Sequence, residues 1–337
     1  MSQVEQVRVG IIGLSASGAR SRPAQELPQT ELTAICDLNE DLLGKVSAEL
    51  GAERTFTDHE KLLEQDDVDM VFIATRDADH CPMTIAALEA GKHVLVEKPM
   101  APTVEECKQM LEAEERSGKK LAVNQVLRTN PRFIEAKRMA DSGYLGEIFY
   151  CEADYVHNIS RLIVGGWRGE ARHRHTPFIG GGCHMIDLLR WCVGEVEEIF
   201  AYGSHKCIAS EDYPFDDCNV SVLKFENGAC GKFGATYGCQ RPSTRNFMLY
   251  GTKATYVAGR EYDTVTVSDD PNAAIRVDIP VQGHPFAPVI SDFADAILND
   301  TPAPISGRDV ANTISVACAG NLSIETGEPV RPERFDF

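Results

Sequence analysis

The sequence predicts an α/β protein: a doubly wound parallel sheet in its first third, then an α/β domain built on a large, mostly antiparallel open sheet. Three observations predict it. The chain has 337 residues, which suits about two domains at roughly 150 residues each. Its first 120 or so residues alternate short apolar runs with helical segments, the pattern of a parallel sheet with right-handed crossovers. After Val123 that rhythm gives way to longer strands joined by hairpin signals. The predicted domains are residues 1–123, for nucleotide binding, and 124–337, for substrate binding and assembly.

The elements follow in order. Val7 to Ile12 is a β-branched run suited to a strand buried on both faces. A Gly/Ser turn and a short helical stretch interrupted by Pro23 and Pro28 come next, then a strand from Glu31 to Cys36 and a helix from Asp41 to Leu50 closed by Gly51. Further strands are expected at Val68 to Thr75, His93 to Val96 and Lys120 to Asn124, separated by helices at Cys81 to Ala90 and Thr103 to Ser117. Beyond them, Pro131 to Ala140 reads as a helix and Glu147 to Val156 as a longer strand. A loop dense in Arg, His and Gly fills residues 158–182 before an amphipathic helix from Cys183 to Val193. The clearest hairpin pairs Val220 to Phe225 with Cys230 to Tyr237, and helices near residues 287–299 and 308–326 close the chain. A broad sheet with few helices to cover it leaves one face in need of cover, so a homodimer or homotetramer is expected.

Composition narrows the function. Fifty-one Asp and Glu against 33 Lys and Arg give a formal charge of −18, a field that repels phosphate backbones and anionic lipid; no nucleic-acid or membrane partner is expected. No apolar run approaches the roughly 20 residues of a membrane helix, and the start of the chain has no apolar leader. Eleven cysteines without a C-x-x-C pair fit free thiols in a reducing cytoplasm.

The turn after the first strand, Gly13-Leu-Ser15-Ala16-Ser17-Gly18, is a dinucleotide fingerprint with Ser at the middle glycine. Gly13 permits the tight turn, Gly18 close helix–strand packing, and the middle residue the approach of backbone N–H groups to a pyrophosphate. Asp37 ends the second strand, where an acid accepts the adenosine ribose hydroxyls; the alternative is an Asx turn with Asn39. A carboxylate there repels a 2′-phosphate and no neighbouring cation would hold one, so NAD is favoured over NADP.

From Ala86 to Pro99, ending in Glu97-Lys98-Pro99, the chain resembles the glucose–fructose oxidoreductase / inositol dehydrogenase / MocA (Gfo/Idh/MocA) family. The opening turn, His80 in the loop after Thr75, the stretches Gly143 to Ile148 and Gly182 to Trp191, and Tyr250 to Lys253 agree with it. The resemblance covers nearly the whole chain. It implies a Rossmann domain, an NAD(P)-dependent dehydrogenase acting on a hydroxyl of a sugar, cyclitol or similar polyol, and an open sheet that commonly forms the oligomer interface. It also implies Thr75, His80, Glu97 and Lys98 on the cofactor, and Lys98 and His184 as the acid/base pair, one taking the hydroxyl proton and the other hydrogen-bonding the same oxygen. Asn124, and more weakly Arg128, fall where similar chains place polar pocket residues. Many similar chains carry an aspartate one turn before the histidine; here that position is Gly180. Asp187, one turn after His184, reads as structural.

Arg161, Trp167, Arg168, Arg172, His173, Arg174 and His175 crowd the loop before the catalytic helix. Three readings stand: a hold for an anionic group on the substrate, with Trp167 on a sugar ring and Arg161 and Arg168 beside it; a loop crossing to a neighbouring subunit; or a solvated loop. The spacing of His173, His175, Cys183 and His184 fits no zinc pattern, so no metal is expected. Two rival functions are an NAD-dependent glycosidase, which oxidises the sugar transiently and eliminates the aglycone, and a cofactor-sensing regulator without turnover.

Overall fold

The structure, a computed structural model, describes residues 6–15, 22–52, 54–209, 213–259, 262–267, 270, 274–277, 279 and 283–336. The chain divides into two compact units, residues 1–126 with 285–311 and 336–337, and residues 127–284 with 312–335. The reading from sequence places everything after residue 123 in one domain; in the structure residues 285–311 return to the first unit.

The first unit is built around β1 (Val7–Ile12), α1 (Pro23–Glu26), β2 (Thr30–Cys36), α2 (Glu40–Leu50), β3 (Thr55–Phe56), α3 (His59–Leu63), β4 (Met70–Ile73), α4 (His80–Glu89), β5 (His93–Val96), α5 (Val104–Ser117) and β6 (Leu121–Val123). Its six strands pair in parallel in the order β3-β2-β1-β4-β5-β6. Crossovers that start at the middle strand and run both ways leave every strand's carboxyl end on one edge, where ligands of open α/β sheets bind. The inner strands read as unbroken apolar runs because both faces are covered; all of Met70, Val71, Phe72 and Ile73 are buried. The helix starts follow local chemistry. The Asn39 side chain accepts from Leu42 N, and the Thr103 hydroxyl accepts from Glu106 N while donating to the Glu106 carboxylate. Pro23 opens α1 instead of interrupting a helix, since its missing N–H costs nothing in a first turn.

The second unit holds α6 (Pro131–Asp141), β7 (Ile148–Val156), α7 (Ser160–Ile163), α8 (Cys183–Val193), β8 (Val196–Ser204), β9 (Cys218–Phe225), β10 (Cys230–Thr236), β11 (Thr244–Gly251), β12 (Thr255–Ala258), β13 (Asp263–Thr266) and β14 (Ile275–Val277). Helix α9 (Phe286–Leu298) belongs to the first unit, and α10 (Gly307–Thr326) continues into the second. The eight strands form one sheet in the order β14-β13-β12-β11-β7-β10-β9-β8, parallel only between β7 and β10. Residues 151, 153 and 155 of β7 point to the buried face that α8 covers. On the opposite face Tyr202 and Val220 pair across β8 and β9, as do Phe200 and Val222, and Tyr202, Val220 and Val222 are exposed. This is the face the sequence leaves uncovered.

Candidate active site

In the first unit the predicted residues follow the carboxyl ends of successive strands: Gly13 and Ser15 after β1, Asp37 after β2, Thr75 after β4, Glu97 and Lys98 after β5, and Asn124 after β6. Ala16, Ser17 and Gly18 lie outside the described residues. Gly13 has φ 90°, and a Cβ on it would stand 2.6 Å from the Ala74 carbonyl oxygen, so only glycine fits this turn. Asp37 both ties the turn and starts the next helix: Leu14 N donates to its Oδ2 at 2.7 Å and Asn39 N to its Oδ1 at 2.9 Å. The Asx turn is therefore present, yet each carboxylate oxygen keeps a free lone pair for a ribose hydroxyl.

Glu97 gathers the rest. Its carboxylate accepts from Asn124 Nδ2 at 2.7 Å and from the Lys98 backbone N–H at 3.0 Å. Burial pushes this carboxyl up from its ordinary value, against the opposing pull of Lys98, the Asn124 hydrogen bond and His80. His80 Nδ1 donates to the Pro99 carbonyl at 2.8 Å. Three buried polar atoms here, Thr75 Oγ1, His80 Nε2 and Asn124 Oδ1, have no hydrogen-bond partner among the described residues. A buried polar group without a partner is costly unless something bound there satisfies it. Polar atoms at the carboxyl edge, the glycine turn and the Asp37 carboxylate together fit a dinucleotide.

In the second unit, residues 178–182 form one π-helical turn that runs into α8. Three glycines make this turn possible by leaving room for rings. A Cβ on Gly180 would lie 2.1 Å from Tyr237 Oη and 2.4 Å from His175 Nε2, one on Gly181 2.7 Å from Tyr155 Cδ1, and one on Gly182 2.7 Å from Phe233 Cζ. At residue 180 an imidazole and a phenol fill the space from which a side chain would grow. Around the turn runs a continuous series of ring contacts. Trp167 meets His175 (centroids 5.8 Å), His175 stacks on Tyr237 (5.6 Å), Tyr237 meets His157 (5.2 Å), His157 meets Tyr155 edge-on (4.7 Å), and Tyr155 stacks on His184 (6.1 Å, 21°). His184 is buried and also faces His284 at 5.6 Å.

The cation-rich loop is less uniform than its sequence suggests. Arg168 lies over the Trp167 ring at 4.3 Å, Arg172 pairs with Glu170 at 2.9 Å, and Arg161 is exposed on α7. His173 packs against Trp167 at 4.8 Å and is buried, as is His175. Asp187 does not serve the histidine: Arg128 grips it through two bonds of 2.7 Å and Thr313 donates to it at 3.0 Å, all buried. Arg128 is thereby committed to the base of α8. Among the described residues no three His, Cys, Asp or Glu groups converge to hold a metal ion, and no helix is long and apolar enough to cross a membrane.

Comparison with known proteins assigns this architecture. Residues 7–125 match the oxidoreductase family with an NAD-binding Rossmann fold, and residues 133–257 match the GFO/IDH/MocA C-terminal domain. The chain belongs to the Gfo/Idh/MocA oxidoreductase family. Among members of this family, it is 25% identical to scyllo-inositol 2-dehydrogenase (NAD(+)) of Bacillus subtilis (strain 168), across 97% of this chain and 96% of that one. A glycosyl hydrolase family 109 protein of Shewanella baltica (strain OS155 / ATCC BAA-1091) is 33% identical, over 75% of this chain but 63% of its own length. A solved levoglucosan dehydrogenase in complex with NADH superposes with a TM-score of 0.89 at 24% identity, covering 98% of this chain and all of that one, which establishes the shared fold. The Gfo/Idh/MocA assignment thus covers both units. Two features of this member had no signal in its sequence: the rings of Tyr155, His157 and Tyr237, and Arg245 on β11, whose guanidinium lies over the Tyr155 ring at 5.5 Å. They meet only through the β7–β10 and β7–β11 registers, which no local motif encodes.

Proposed function

We propose that the protein is an NAD-dependent dehydrogenase that moves a hydride between a hydroxyl carbon of a sugar, cyclitol or related polyol and the nicotinamide, with Lys98 and His184 as its acid/base groups. One observation carries this reading: the likeness to an NAD(+) inositol dehydrogenase runs end to end through both units. NAD supplies the hydride chemistry when bound. The chain's own residues do the rest. Gly13, Ser15, Ala16, Ser17 and Gly18 wrap the pyrophosphate, Asp37 selects the unphosphorylated ribose, and Thr75, His80 and Glu97 hold the nicotinamide end. Glu97 fixes the backbone from which Lys98 projects. A neutral His184 imidazole accepts an alcohol proton near neutral pH, and the ring series behind it keeps its plane. Asn124, Arg161, Trp167 and Arg168 contact substrate. A homodimer or homotetramer forms through the exposed Tyr202, Val220 and Val222 face.

An NAD-dependent glycosidase is the second reading, favoured by the family 109 relative and by the glycine at residue 180. Incubation with NAD and a panel of sugars, cyclitols and aryl glycosides separates the two. Net NADH supports the dehydrogenase, and aglycone release without net NADH supports the glycosidase. Lys98→Ala is expected to lower turnover far more than NAD affinity, and near-normal turnover removes Lys98 from its role. Asp37→Ser should narrow the preference for NAD over NADP; an unchanged preference removes Asp37.

A further inference from the structure

Arg245 stands opposite Tyr155 in the β11–β7 register, on the face that α8 covers. Its guanidinium carbon lies 5.5 Å from the centre of the Tyr155 ring, on which His184 also stacks. Arg245 Nε is buried, and among the described residues it has no hydrogen-bond partner; the side chain forms no ion pair with any of them. Arg245 is half-buried; a guanidinium N–H shielded from water without an acceptor is costly, and the planar fork suits a carboxylate.

Nearby acids are already engaged. Asp154 is held by Lys232 at 2.6 Å and Asn246 at 3.2 Å, Glu152 accepts from Tyr250 at 3.2 Å, and Asp187 belongs to Arg128 and Thr313. At residue 180 there is no carboxylate either, because rings fill its place. The surroundings of His184 therefore offer a guanidinium in ion pair with none of the described residues, and no free side-chain anion of the described residues to oppose a charged substrate. The cationic loop is a weaker hold, since Arg172 is neutralised by Glu170 and Arg161 is exposed.

We propose that the substrate is a sugar acid, a polyol carrying a carboxylate, and that Arg245 holds this carboxylate at the Tyr155 ring on which His184 stacks. The proposal rests on the dehydrogenase reading. It is tested with the full chain and NAD against D-glucuronate, D-galacturonate and D-gluconate, their neutral counterparts D-glucose, D-galactose and D-glucitol, and D-glucose 6-phosphate. The wild type should favour one of the carboxylates over its neutral counterpart by at least about tenfold in kcat/KM. Arg245→Gln should shrink that ratio by about ten- to a hundredfold, mainly through KM, the loss expected for a charged hydrogen-bonding pair. Arg245→Lys should recover part of it, which guards against a variant that merely misfolds. A wild type that prefers neutral polyols or the phosphate, or a ratio that Arg245→Gln leaves unchanged, overturns the proposal. If no polyol yields NADH, the dehydrogenase reading alone fails, and calorimetric binding of the same acids to NAD-loaded protein then decides. Binding lost in Arg245→Gln supports the hold, and absence of binding in the wild type overturns it.

Discussion

Gly180→Ala is the sharpest test of the packing around helix α8. Gly180 is not among the glycines with positive φ, so an alanine meets no backbone strain there and would even gain up to about 1 kcal/mol in helical propensity. Everything against it is steric. The new methyl would start 2.1 Å from Tyr237 Oη and 2.4 Å from His175 Nε2, whereas ordinary contacts begin near 3.4 Å. Both rings are buried, and the Tyr237 hydroxyl is fixed by a 2.6 Å hydrogen bond to the Thr176 carbonyl. Forcing them back costs about 1–3 kcal/mol of overpacking, and losing that hydrogen bond adds about 1 kcal/mol. The net expectation is about 1–3 kcal/mol, read as a lower urea midpoint at unchanged slope. His175→Ala alone should destabilise by a similar amount through the cavity it leaves. Combined, the two should cost at least about 1 kcal/mol less than their sum, because Tyr237, stacked on His175, can move into the vacated volume. NAD affinity serves as the control. Additive losses, or a Gly180→Ala variant as stable as the wild type, would refute the claim that these rings fill the missing side chain's place.

Two further outcomes follow from the ionisable groups. Glu97 is buried with its carboxyl pushed up, so the folded state holds a proton that the unfolded state has already released, and stability falls as pH rises from about 4.5 through the raised value. Glu97→Gln should flatten that fall while losing one N–H bond, about 1 kcal/mol, at the acid end; melting curves parallel to the wild type between pH 4.5 and 8 would contradict the assignment. Asp187→Asn leaves the buried Arg128 without its counter-charge and should cost about 3 kcal/mol in urea unfolding. A loss under about 1 kcal/mol would show that this pair does not anchor α8.

How much could be read from residues alone depended on whether the signal was local. Strand β5 and helix α8 fall at the residues expected, because an apolar run and a 3.6-residue periodicity are written within each segment. Strand β3 has two residues and only an edge to pair with, too little pattern to announce itself. The pattern of α9 says that one face is buried but not against which unit, and the helix packs on β1 and β5. The loop before α8 misleads for a chemical reason. A histidine counts as a cation in a charge run, but His173 and His175 are buried against Trp167 and act as flat rings. Asp187 and Arg128 are far apart in sequence, and their pairing rests on tertiary packing alone.

Where the positive charge sits also decides how the enzyme should respond to salt. With a formal charge of −18 the molecule as a whole repels an anionic substrate, and added salt screens that repulsion over distances beyond about 10 Å at 0.1 M. A hold made of exposed loop arginines would be screened just as strongly, so KM for a carboxylated sugar would climb steeply with ionic strength. Arg245 is different: its Nε is shielded from water beside Tyr155, and a partly buried pair keeps most of its attraction when salt is added. The two effects then oppose each other in a definite order, because the global field is screened before the local pair is. At saturating NAD, KM for the sugar acid should stay level or fall slightly between about 10 and 150 mM NaCl. A rise of about tenfold over that range would move the anion hold from β11 back to the loop around Arg161 and Arg168.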